Sequence, residues 1–235
     1  MKTQLLTISD VRNFRQLGKQ LNTDNFKSRV KEVQDNQLRE LLGDDLFFDF
    51  SDYIENSWNL SAETFVRDSS TQLTASGVDL SAWAGYGLRI NSNIFVCVDT
   101  AVFGGVDTII TVSGYDLPEA VTRVEYKPEN AYIRLLNGYE RNTNGLRGFM
   151  SWHLQNIYLY DGDVKQADVG NIQYTGEMFE KISNKQRADA GSNYLQNATR
   201  EENYIIDYLN DNTTDFPLWS IAIESNINKF DFVII

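Results

Sequence analysis

Between residues 60 and 127 the chain changes texture. β-Branched and aromatic residues alternate there with small polar ones, and glycine stands at positions 77, 85, 87, 104, 105 and 114. Both flanks instead carry apolar residues at helical spacing. A period of two lodged between periods near 3.6 constrains the fold class to α+β. The expected architecture is a helical bundle with an inserted antiparallel β-rich subdomain, a small barrel or sandwich, and a C-terminal strand or hairpin. Residues 1–59 and 128–215 form the helical part in this reading, 60–127 the insertion and 216–235 a terminal strand or arm.

The flanks give the detail. Leu5, Ile8, Val11, Phe14 and Leu17 lead a first helix that Gly18 weakens. Thr23 or Asp24 is placed to cap a second, whose stripe runs Phe26, Val30, Val33, Leu38, Leu41 and Leu42 and stops at Gly43. Leu46 to Ile54 extends this into a short third helix. In the insertion, residues 88–90, 93–98, 107–112 and 121–126 read as strands, with a glycine turn over 102–106. Beyond Pro128, one helix ends at Asn137-Gly138, another carries Leu146 to Tyr160, and a long polar one spans about 180–210. Residues 219–223 and 230–234 alternate with period two and read as strands.

Charge and reactive residues narrow the function. With 21 basic against 33 acidic residues, the net charge is 21 − 33 = −12 and the pI about 4.5. Such a chain does not grip nucleic acid over its whole surface, although it suits a surface that DNA slides past. No run approaches the roughly 18 apolar residues of a membrane span. The first ten residues turn polar too soon for a signal-peptide core, and Cys97 stands alone, so a reducing folding compartment is expected.

His153 is the sole histidine, which excludes paired-histidine metal motifs, and it sits among Trp152, Leu154 and Ile157 as a packing residue. A Cys97–His153 pair is the nucleophilic alternative; Cys97 in an apolar strand pattern otherwise reads as a small buried hydrophobe. No phosphate-cradling glycine loop occurs, and Asp161 to Asp168 lacks the glycine and glutamate of a calcium loop. No catalytic residue, metal site or cofactor is therefore expected. Trp83 and Tyr86 have two readings: filling of the insertion's small core, or an aromatic platform for a glycan or protein. The second makes the chain a glycan- or protein-binding module.

Three blocks carry a resemblance: Leu6 to Val11, Phe26 to Val30, and Leu38 to Leu46. A later series adds to it, from Tyr132 to Glu140, Asn144 to Arg147, an aromatic helix ending at Tyr160 to Asp163, the Gly170 turn, and a polar helix closing on Tyr204 to Asn210. Together these resemble the head-to-tail connector proteins of tailed phages infecting Bacteroidota, crAss-like phages included. The resemblance implies a non-enzymatic virion protein, a dodecameric ring at the head–tail junction assembled in the host cytoplasm. Implied partners are copies of itself, the portal protein, an adjacent tail or connector ring, and genomic DNA passing without sequence-specific binding. No membrane is involved. Phe230, Phe232, Val233, Ile234 and Ile235 are then candidates for docking on a neighbouring subunit. Glu201, Glu202 and Asp207 are candidates for an acidic lumen.

Overall fold

Two helices in this chain stop where glycine takes a positive φ. Gly43 (φ 73°) and Gly138 (φ 100°) each donate their amide to the carbonyl four residues back, Arg39 and Arg134. The computed structural model describes residues 1–7, 10–11, 23–138, 143–160, 172–175, 178–181 and 184–219. In chain order these form α1 (Thr23–Val33), a π-helical turn (Gln34–Leu38), α2 (Arg39–Leu42), α3 (Asp44–Glu55), β1 (Asn59–Leu60), β2 (Phe65–Ser69) and β3 (Gln72–Ser76). A 3-10 turn (Ser81–Trp83), β4 (Gly87–Ile90), β5 (Ile94–Phe103), β6 (Asp107–Ser113), β7 (Val124–Lys127) and α4 (Ala131–Asn137) follow. The chain closes with α5 (Gly145–Tyr160), β8 (Ile172–Thr175), β9 (Met178–Lys181) and α6 (Asn184–Asp211). The fold is mixed α and β, in two compact units: a helical unit, 1–49 with 143–235, and a sheet unit, 50–142.

In the helical unit the apolar stripe of α1 runs Phe26, Val30, Val33 and then Leu38 and Leu42, all buried. The step from 33 to 38 is five residues, one more than an α-helix allows for a shared face, and the π turn absorbs the extra residue. That turn buries Gln34. Its Oε1 accepts from the Leu5 amide at 3.0 Å and its Nε2 donates to the Thr3 carbonyl at 3.0 Å. Leu5 and Leu6 are thus buried in irregular chain, not as the first turn of a helix. Asp10 and Val11 are helical, and Phe14, Leu17 and Gly18 lie outside the described residues.

α6 packs on α5 through a narrow stripe of Gly191, Ala198, Glu201, Ile205 and Leu209. It begins at Asn184, because Glu180 and Lys181 belong to β9. Trp219 closes a helical turn at 217–219, its Nε1 donating to Asn210 Oδ1 at 2.8 Å, where a strand was expected. Residues 220–235 lie outside the described residues.

The sheet unit holds one antiparallel sheet in the order β1-β7-β4-β5-β6-β3-β2. Its inner face gathers Leu73, Leu88, Ile90, Val96, Val98, Ile110 and Val112. Trp83 meets Phe65 of β2 (5.9 Å between ring centroids) and Tyr126 of β7 (4.6 Å), so the sheet curls until strands near its two edges share one indole. β2 and β3 escaped the sequence reading, and β5 runs to Phe103, which narrows the turn to Gly104–Val106. Residues 50–59 and 128–142, placed by sequence with the helices, fall in the sheet unit, where α4 packs on β5. No helix among the described residues is long and apolar enough to cross a membrane.

Candidate functional site

The outer face of the sheet divides in two. Over β7, β4 and the first half of β5 it is closed. Cross-strand register aligns Glu125, Arg89 and Phe95 in one row and Lys127, Gly87 and Cys97 in the next. Glu125 is 2 % exposed. Arg89 grips it with both arms, Nε to Oε2 and Nη2 to Oε1, each 2.7 Å, and Arg123 Nη2 adds a bond to Oε1 at 2.8 Å. Burial alone would raise this carboxyl's pKa, but hydrogen bonds from the two guanidinium groups override it and hold the pKa below the usual range.

Lys127, 8 % exposed, donates to the Tyr53 carbonyl and lies over the Tyr53 ring (4.1 Å) and the Trp58 ring (4.9 Å). Burial pushes its pKa down to about 8. Arg89 also stacks on Trp58, at 5.0 Å. Gly87 is required below this layer, since a Cβ would stand 2.4 Å from Ile133 Cδ1 and 2.9 Å from the Glu129 carbonyl. These charges lock the sheet to its cover.

Where the cover ends there is a recess of about 430 Å³ between α4 and a bulge in β5 at Asp99. Cys97, Asp99, Ser113, Asn130, Arg134 and Asn137 supply its side chains. Ser113 Oγ donates to Asp99 Oδ1 at 2.7 Å, and Asn137 Nδ2 to the Phe95 carbonyl at 2.7 Å. Gly114 (φ 91°) permits the approach of Asn137, whose Nδ2 would stand 2.9 Å from a Cβ there. An exposed guanidinium and an exposed carboxylate in one recess make a polar socket for a small charged group.

The Cys97 thiol, 5 % exposed and 4.0 Å from the Asn130 carbonyl, is pushed up to about 12 by burial, so it is protonated at neutral pH. His153 belongs to the helical unit, where burial lowers its pKa and its ring packs edge-to-face on Phe149 at 4.6 Å. Among the described residues no three His, Cys, Asp or Glu side chains gather as a metal site.

The residues singled out by sequence fare differently. Trp83 is 8 % exposed and stacked on Phe65 and Tyr86, so it is core and offers no platform; Tyr86 is half-buried against it. Glu201 is 2 % exposed, and its carboxylate takes Asn144 N at 3.3 Å and Asn144 Nδ2 at 3.2 Å ahead of α5. A buried cap of this kind cannot line a lumen. Glu202 is half-buried, and burial with the neighbouring charge of Glu40 raises its pKa; Asp207 is exposed. Phe230, Phe232, Val233, Ile234 and Ile235 lie outside the described residues, as does Asp161 to Asp168.

Sequence reasoning missed Arg89, Arg123, Glu125 and Lys127, which become partners only once register is known. It missed Asp99 and Arg134 for the same reason. The burial of Glu201 had a signal, since position 201 continues the stripe Ala198, Ile205, Leu209.

Residues 117–228, just under half of the chain, match the model of a family of unknown function, DUF6712. This stretch runs from before β7 through α6. No curated protein and no solved structure matches the chain.

Proposed function

We propose that the chain is a structural virion protein of a tailed phage, forming a ring that joins the capsid portal to the tail and surrounds the exiting genome. One observation carries the reading beyond the sequence resemblance. Exposed large apolar side chains concentrate in one corner of the sheet unit: Val66 (56 %), Val102 (61 %), Val106 (69 %), Ile109 (49 %) and Phe103 (37 %). A patch of this kind on a chain meant to stay alone works against solubility, whereas a component of a larger assembly covers it with a neighbouring protein of that assembly.

The reactive groups support the same reading. Cys97 is a protonated core thiol, His153 a packing residue, and the buried charges of the sheet unit are consumed in holding its cover. The partners in this reading are further copies of the chain, the portal, an adjacent connector ring, and DNA held at arm's length. Carboxylates facing a bore repel phosphate at short range, an effect screened beyond about 10 Å at 0.1 M salt. Of the three candidate acids Glu201, Glu202 and Asp207, Asp207 keeps the exposure such a role needs.

Negative-stain imaging of the purified chain, alone and mixed with portal, tests the proposal. Rings coaxial with the portal are expected. Particles of monomer mass in both samples, over micromolar concentrations, would overturn it. Deleting residues 226–235 separates the parts, because rings that survive the deletion remove the docking role of Phe230 to Ile235 while leaving the ring itself.

A further inference from the structure

We infer that the outer face of β2, β3, β6 and the far half of β5, with the open edge of β5, receives an extended segment of a different protein that carries aliphatic residues flanked by Lys or Arg. The inference rests on this face alone and stands whether or not the chain forms a ring.

Register puts the apolar residues in line. Val66 pairs with Thr74, Thr74 with Ile109, and Ile109 with Val102, so one row crosses four strands on the solvent side. Gln72, Thr111 and Thr100 form the row beside it. The pairing of β5 with β4 ends at Gly87↔Cys97, after which Val98 exchanges backbone bonds with Tyr86 and Gly85. From Thr100 to Phe103 the strand has β6 on one side and, among the described residues, no strand on the other, although the 3-10 turn Ser81–Trp83 packs against β5. Thr100, Ala101, Val102 and Phe103 include no charge and no proline, the devices that ordinarily blunt an edge. By contrast β2, the terminal strand of this side, carries Arg67, Asp68 and a register shift between Arg67 and Ser69. The edge without charge or proline is therefore the one next to the apolar row.

Charge selects the occupant. Residues 60–116 hold six carboxylates against two guanidinium groups, and one of those two, Arg89, is consumed by Glu125. Glu63, Asp68, Asp79 and Asp99 are exposed and Asp107 is half-exposed, so the row and edge sit within a negative fringe. A second copy would bring the same fringe against itself, and like charges in register oppose pairing. A strand with basic flanks satisfies the edge amides and carbonyls, covers Val102 and Ile109, and neutralises the fringe.

The test uses the full chain and fluorescently labelled peptides read by anisotropy. The probes are Lys-Thr-Val-Thr-Val-Thr-Lys, its counterpart with Glu at both ends, and the Lys-ended peptide with every amide N-methylated. The Lys-ended peptide is expected to bind, more weakly as salt rises, and each of the other two to bind at least about tenfold more weakly. The double variant Val102→Lys, Ile109→Lys is expected to lose binding by a similar factor while its circular dichroism and urea midpoint stay unchanged, both side chains being exposed.

Several results would overturn the inference: no binding of the Lys-ended peptide, equal binding of the methylated or Glu-ended peptide, or undiminished binding to the double variant. Self-association by light scattering that the double variant abolishes would also overturn it, by showing the face occupied by a second copy.

Discussion

The two halves of the sheet's outer face invert the usual rule about which residues face water. The half over β7, β4 and the start of β5 holds Glu125, Arg89 and Lys127, yet it is closed by Tyr53, Ile54, Trp58 and α4. The other half holds Val66, Ile109 and Val102, yet it is open. Burying charge is tolerable where every charge finds a partner of opposite sign or a carbonyl, and the first half meets that condition. Exposing aliphatics gains nothing for an isolated domain. The contrast teaches that the closed half is a finished interior, whereas the open half leaves aliphatic surface uncovered, as the proposed contact requires.

The largest effect that sharpens this contrast comes from Glu125→Ala. It leaves Arg89 enclosed without its carboxylate, and urea unfolding should show a loss of about 3–5 kcal/mol. Val66→Thr in the open half should stay within about 0.5 kcal/mol in the same titration. Equal losses at the two positions would erase the distinction.

Glycines give the next comparison. Gly87→Ala drives a methyl group into Ile133 and the Glu129 carbonyl, and is expected to cost about 1–3 kcal/mol. Gly104, whose Cβ would meet only the Asp107 carbonyl at 3.7 Å, should accept alanine within about 0.5 kcal/mol.

A smaller effect is pH-dependent. Lys127 has its pKa lowered from 10.5 to about 8 by burial, so between those values the unfolded chain binds more protons than the folded one. Stability should therefore rise with pH over that window, and the penalty of enclosing the cation should be fully present below pH 8. Lys127→Met should flatten that part of the stability–pH curve, and a curve that keeps its slope would assign the titration elsewhere. The smallest expected change is kinetic. A thiol reagent at pH 8 should modify Cys97 of the native chain at least about tenfold more slowly than in urea, because burial keeps the thiol protonated.

Much of the scaffold could be read in the sequence, and the reasons are local. Gly43 and Gly138 announced helix ends because only a residue without Cβ adopts their φ cheaply. β4, β5 and β6 showed their alternation because valine and isoleucine mark the inward positions. β2 and β3 did not, since their inward side is carried by Phe65, Leu73 and Ala75 amid Ser, Thr, Asp and Gln that imitate a loop. The candidate site was less legible still. Glu125 and Lys127 looked like the solvent side of a strand, and nothing local says that Trp58 and Tyr53 close over them. Glu201 looked like a solvated helix acid until Asn144 came within reach. Contacts 36 or 57 residues apart belong to register and packing, which periodicity does not encode.

The π turn at Gln34–Leu38 has a consequence for chain length. Its extra residue lets one amide side chain imitate a rung of ladder, holding Thr3 and Leu5 as a neighbouring strand would. Excising any one of Asp35, Asn36 or Gln37 is expected to restore ordinary winding with the hydrophobic seam still in phase, which helical circular dichroism would check. The clasp thus fastens the leading segment to a helix 29 and 31 residues further along the chain, without a strand between them.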